Sequence, residues 1–208
     1  TIGAPIDAKL TAQGIFREND ASLPKAERMY TAFLSAKPFS AVSRTANGRH
    51  LAFGENDTAD GLYFLYDLGG ETAGYLSFSC DVPEDTEILV GFGEHYEDLR
   101  VRSLLGTRNF CFRFVAKKGH NDFFYPFQRI GLRYLQLHVY AKEATLQNVG
   151  VLPTDYPLTV YPCPTDDGLH KLIYEVGVKT LRMCMHEHYE DCPWREQSLY
   201  GMDSRIQI

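Results

Sequence analysis

Period-two alternation of apolar and polar positions dominates the middle of the chain. Over 75–80, Leu76, Phe78 and Cys80 alternate with Tyr75, Ser77 and Ser79, and Ile88, Val90 and Phe92 share a face further on. Phe110, Phe112 and Phe114 form another row, as do Leu135, Leu137 and Val139. A strand with one buried face produces this pattern. Turn formers separate the rows: Gly69-Gly70, Pro83-Glu84-Asp85 and Lys118-Gly119-His120-Asn121. Short strands between turns, with no helical period among them, predict an antiparallel β-sandwich or jelly roll over residues 61–160.

The pattern changes on either side. Residues 1–60 carry little periodicity and remain unassigned, apart from a short helix expected from Leu23 to Tyr30 with Pro24 near its first turn and Phe33-Leu34 facing inward. Asn56-Asp57 and Asp60-Gly61 are turn signals. Pro153, Pro157, Pro162 and Pro164 make a stiff connection into a third region, 161–208. There Leu169, Leu172, Ile173, Val176 and Leu181 follow helical spacing, with Thr165 as the expected N-cap and Asp166-Asp167 in the first turn. Pro193 breaks the run. Leu199, Met202 and Ile206 begin a second helical pattern that reaches Ile208 without a stop signal. Two helices cannot bury their own apolar faces, so further helices are expected beyond them.

Composition narrows the function. A formal net charge of −6 argues against a nucleic-acid partner. No apolar run approaches the roughly 18–20 residues of a membrane helix. The five cysteines show neither a disulfide framework nor a zinc spacing, which points to free thiols in the cytoplasm. The chain opens at Thr1, which reads as a processed or constructed start. No cofactor motif is present: Asp67-Leu68-Gly69-Gly70 lacks the lysine and following helix of a phosphate loop and reads as a hairpin turn. His186 and His188 point to separate faces on a helix, so no metal site is assigned.

The densest polar stretch runs from His186 to Glu196 and continues to Asp203-Ser204-Arg205, at a break between helices where a loop can aim side chains into a cleft. Within it, Asp191-Cys192-Pro193-Trp194-Arg195-Glu196, with Asp203 seven residues beyond Glu196, resembles the D-C-P-x-R-E signature of bacterial α-L-rhamnosidases, glycoside hydrolase family 78. Upstream, Asp67-Leu68-Gly69, Ala73-Gly74-Tyr75, Glu94 and the run from Phe127 to Tyr134 (F-x-x-x-G-x-R-Y) resemble the same family's sandwich segments. The resemblance covers about 62–208. It implies a sandwich set against an (α/α)6 barrel, of which 161–208 would be the opening helices. It also implies hydrolysis of terminal α-L-rhamnosides with inversion. Glu196 resembles the general acid, and Asp191, Arg195 and Asp203 resemble the residues that hold the sugar. The partner would be a rhamnoside, together with the rest of the barrel, which supplies the general base. After Glu196 the chain departs from the family's usual Gly-Trp, reading Gln197-Ser198-Leu199-Tyr200. A competing reading is a carbohydrate-binding or purely structural sandwich, with Tyr63, Tyr66, Tyr75 or 123–125 as stacking platforms or as core.

Overall fold

The computed structural model describes residues 2–37, 43–45, 48–52 and 58–208. The elements in chain order are β1 (Ile6–Asp7), β2 (Lys9–Arg17), α1 (Lys25–Thr31), β3 (Phe33–Ala36), β4 (Ser43–Thr45), β5 (Gly48–Ala52), β6 (Gly61–Val82) and β7 (Thr86–Gly93). Two small hairpins follow: β8 (Tyr96–Glu97) with β9 (Arg100–Val101), and β10 (Leu104–Leu105) with β11 (Arg108–Asn109). Then come β12 (Cys111–Ala116), β13 (Gly119–Phe124), β14 (Ile130–Val139), β15 (Glu143–Pro153), α2 (Gly168–Met183) and α3 (Gly201–Gln207). The chain is mainly antiparallel β, a sandwich followed by helices, as the alternation predicted.

The long strand β6 organises the sandwich. Its first part lies between β14 and β2, and its last part between β15 and β13. Outward from these run β7 and β12 on one side, β5 and β4 on the other. β6 changes partners across Leu68–Thr72, opposite the register slip between Leu132 and Tyr134 of β14. Gly69 takes φ +80 there, a conformation glycine adopts without steric cost. Its N–H donates to Asp67 Oδ1 at 2.7 Å, and Arg133 grips the same carboxylate with bonds of 2.9 and 3.1 Å. The two sandwich motifs therefore meet at one bend. Asp67–Gly70 is not the hairpin turn its glycines suggested; it is a bulge inside a continuous strand.

Leu62, Phe64, Leu76, Phe78, Val90, Phe92, Leu135, Leu137 and Val151 fill one core between the layers. The reverse side of β14 is buried as well. Gln136 and His138 are out of solvent, with Phe16 stacked on the His138 ring at 4.3 Å. The covering layer comes from the unassigned first region. α1 begins after Pro24, as expected, and packs Ala26 and Met29 against Leu89 and Cys111. Arg28 of α1 bonds Glu18 at 2.6 Å and Glu87 at 2.9 Å. Phe33 does not face inward: it is 54% exposed, with the Arg17 guanidinium over its ring. Asn56-Asp57 lie outside the described residues. Tyr63 and Tyr66 are core, not sugar platforms, and Phe123 and Tyr125 pack against that core.

α2 is capped by Asp167 rather than Thr165: the Asp167 carboxylate accepts from the His170 N–H at 2.9 Å. No α2 residue is fully buried, and Leu169, Leu172, Ile173 and Val176 are 56–65% exposed. Among the described residues no helix is long and apolar enough to cross a membrane.

Candidate active site

Beyond α2 the chain folds back on itself. The Glu190 N–H donates to the Cys184 carbonyl at 2.8 Å, and the Asp191 N–H to the Ser198 carbonyl at 3.0 Å. The Ser198 N–H returns a 2.9 Å bond to Asp191 Oδ1, so Asp191 closes the motif into a loop with both its backbone and its side chain. Gln197 sits at φ +52 and donates from Nε2 to the Pro193 carbonyl at 2.7 Å.

Two features dock this loop on the sandwich. Trp194 is 6% exposed and enters the core, 4.6 Å from Phe110 between ring centroids. Gly131 of β14 lies directly under Pro193, and any side chain there would collide with the Pro193 backbone. The glycine of the F-x-x-x-G-x-R-Y run is thus explained by close approach of two backbones. Beneath the loop, Arg129 pairs with Glu190, whose side chain is wholly out of solvent. Burial pushes the Glu190 carboxyl up, and Arg129 pulls it back.

The structure places Asp191 and Glu196 on one loop, joined through Cys192. Burial raises the Asp191 pKa, but bonds from the Ser198 N–H, the Cys192 thiol, Glu196 and the Cys192 N–H outweigh it and hold the group below its usual value. Cys192 works between the two: its thiol donates to Asp191 Oδ2 at 3.2 Å and accepts from the Glu196 N–H at 3.4 Å. It is a strut of the loop. The cation on Glu196 is Arg108, which reaches over from β11 to bond Glu196 Oε1 at 3.0 Å and the Arg195 carbonyl at 2.9 Å. Arg195 itself is exposed. Asp203 stands on the exposed first turn of α3, apart from the bonds joining Asp191 and Glu196. Glu190 is committed to Arg129.

Sequence reasoning missed Arg108, Arg129 and the anchoring of Trp194. Arg108 lies 88 positions from its partner and carried no local signal. Glu187, His188 and Glu190 bring donor atoms within 4.8 Å of one another, but the Arg129 charge on Glu190 opposes a cation there.

No protein-family model and no curated protein matches the chain. Solved structures do. A GH78 family rhamnosidase of Bacillus sp. GL1 is 26% identical with a TM-score of 0.68, over 85% of this chain and 19% of that one. The chain resembles a family-78 rhamnosidase in structure. A rhamnosidase from Klebsiella oxytoca with rhamnose bound shares the fold at 20% identity and a TM-score of 0.62, over 97% of this chain and 40% of that one. The chain therefore spans about a fifth and two fifths of the length of these two structures.

Proposed function

We propose that this chain supplies the sandwich and the acid-bearing loop of an inverting α-L-rhamnosidase. The observation that carries the proposal is the Asp191–Glu196 pair, held on a loop that Trp194 anchors in the sandwich core. Cleavage of a glycosidic bond needs one carboxyl to protonate the leaving oxygen and a second carboxylate across the sugar to activate water, roughly 6.5–9.5 Å away in inverting enzymes. Glu196 is the proton donor in this reading, oriented by Arg108 and by its amide bond to Cys192. Asp191, kept ionised, accepts sugar hydroxyls. Arg195 and Asp203, both exposed, turn to the substrate when the barrel closes over them. The general base comes from residues outside this chain, so the 208-residue chain alone is inactive. The exposed apolar face of α2 supports packing against further barrel helices. Region 161–208 then opens the (α/α)6 barrel, the sandwich takes in the strands before residue 61 as well as region 61–160, and the five free cysteines fit a reducing cytoplasm.

The test is Glu196→Gln in the longest product of the gene. Hydrolysis of rhamnosides with poor leaving groups should fall by about a hundredfold or more, while activated aryl rhamnosides lose far less. Equal loss on both would remove Glu196 from the acid role.

A further inference from the structure

A cavity of about 620 Å³ opens between α2 and the sandwich, within the usual range of small-molecule sites. Its wall carries Glu71 of β6, Glu94 just past β7, Tyr96 of β8, Arg133 and Tyr134 of β14, and Lys179 of α2. Pro193 of the motif loop closes one side, but Asp191 and Glu196 do not line it.

The wall is built rather than incidental. Tyr96 packs edge-on against Tyr134 at 4.7 Å and remains 49% exposed. The hairpin presenting it turns through Asp98 at φ 49 and Leu99 at φ 62, and a leucine in the left-handed region is a strain that surrounding contacts must hold. Those contacts are present. Arg100 donates to the carbonyls of Tyr30 at 2.8 Å and Ala32 at 2.6 Å, and the Val101 N–H donates to the buried Gln136 side chain at 2.8 Å.

Charges in the wall nearly cancel. Arg133 is committed to Asp67, and the Lys179 charge acts on Glu71. Glu71 lines the cavity, and its Oε1 is sealed from solvent without a hydrogen-bond partner. Burial and the neighbouring Glu94 charge push the Glu71 carboxyl up to about 8, against the pull of Lys179 and Arg133. At pH 7 Glu71 is therefore mostly a neutral hydroxyl donor beside an acceptor, Glu94. A donor and an acceptor side by side, next to an exposed aromatic face in a charge-balanced cavity, complement a ring with adjacent hydroxyls. We infer that this cavity binds a neutral polyhydroxylated ring, a monosaccharide or cyclitol, with Glu71 and Glu94 bonding neighbouring hydroxyls and Tyr96 covering the apolar face. The site is distinct from the motif loop and stands whether or not Glu196 is a catalytic acid.

The test is a titration of the ¹⁵N-labelled chain with L-rhamnose, D-galactose and myo-inositol, with tetramethylammonium as a cationic control. Saturable amide shifts at Glu71, Glu94, Tyr96 and Lys179 are expected with at least one polyol. Tyr96→Ala should weaken binding by about tenfold, and Lys118→Ala, in the exposed turn before β13 and away from the cavity, should leave it unchanged. Wild-type affinity should fall above pH 8 as Glu71 ionises beside Glu94, while Glu71→Gln should bind at pH 7 and keep its affinity at pH 9. No saturable shift with any polyol, shifts confined to residues 191–198, or tighter binding of tetramethylammonium would overturn the proposal.

Discussion

Gly131→Ala tests how the motif loop is held. A methyl group at Gly131 would sit 2.7 Å from Pro193 Cβ and deeper still inside the Pro193 carbonyl. Carbon atoms ordinarily meet at about 3.5 Å or more, and the Pro193 carbonyl carbon lies only 2.3 Å from the added methyl, so strand or loop must move by roughly 1.2 Å. β14 cannot yield: it is hydrogen-bonded to β6 and β7, and its residues are buried on both faces. The loop has to rise, and Trp194 rises with it, away from Phe110 and from Gly93, which it approaches closely. Overpacking costs about 1–3 kcal/mol and loss of a buried aromatic about 3–5; partial withdrawal of Trp194 places the variant about 2–4 kcal/mol below wild type. Trp194 is the only tryptophan in the chain, so intrinsic fluorescence reports on this loop alone. The variant should emit at longer wavelength than wild type. In urea its fluorescence transition should precede the loss of β-sheet circular dichroism. Wild-type emission with an unchanged urea midpoint would refute the docking argument.

Gly69→Ala provides the contrast: nothing lies within 4 Å of the added carbon, so only the φ of +80 is penalised. The expected cost in urea is about 1 kcal/mol with Trp194 emission unaltered. Arg129→Met leaves the Glu190 carboxylate buried and unpaired and should cost about 3–5 kcal/mol in the same assay, with most of that recovered in the Arg129→Met/Glu190→Met double variant. pH acts at both ends. The Glu71 pKa is raised in the folded state, so its ionisation erodes stability as pH rises from about 4.5 to about 8; Glu71→Gln should flatten melting temperature against pH across that window. Burial, with Arg100 and Arg28 nearby, holds His138 near 3, so the unfolded chain takes up that proton first and stability should fall as pH drops from about 6.5 towards 3; His138→Gln should remove that component.

The strands facing the inner core were legible because one face alone was apolar, as in Leu76, Phe78 and Cys80. β14 was harder. Gln136 and His138 look like a solvated face, yet Phe16 of β2 stacks on His138 and Val101 of β9 bonds Gln136, and β2 comes from a region with little visible period. In β2 the pairing slips between Leu10 and Ala12, so apolar residues change face within the strand and alternation is lost. The Gly69-Gly70 pair signalled a turn because a bulge at positive φ and a turn require the same residue. At the site, Asp191 and Glu196 were readable because loop closure is local, through Ser198 and Cys192. Arg108 was not, since only the hydrogen-bonded path through β12 and β7 carries its hairpin to Glu196. Arg195, adjacent to Glu196 in the chain, is exposed instead.

The most direct test of the glycosidase assignment is hydrolysis of an aryl α-L-rhamnoside followed by proton NMR, using the 208-residue chain and the longest product of its gene in parallel. The account predicts that the longer product releases β-L-rhamnose as the first anomer, while the shorter chain, folded by circular dichroism, releases none. First release of the α anomer, or no hydrolysis by either folded protein, would contradict it.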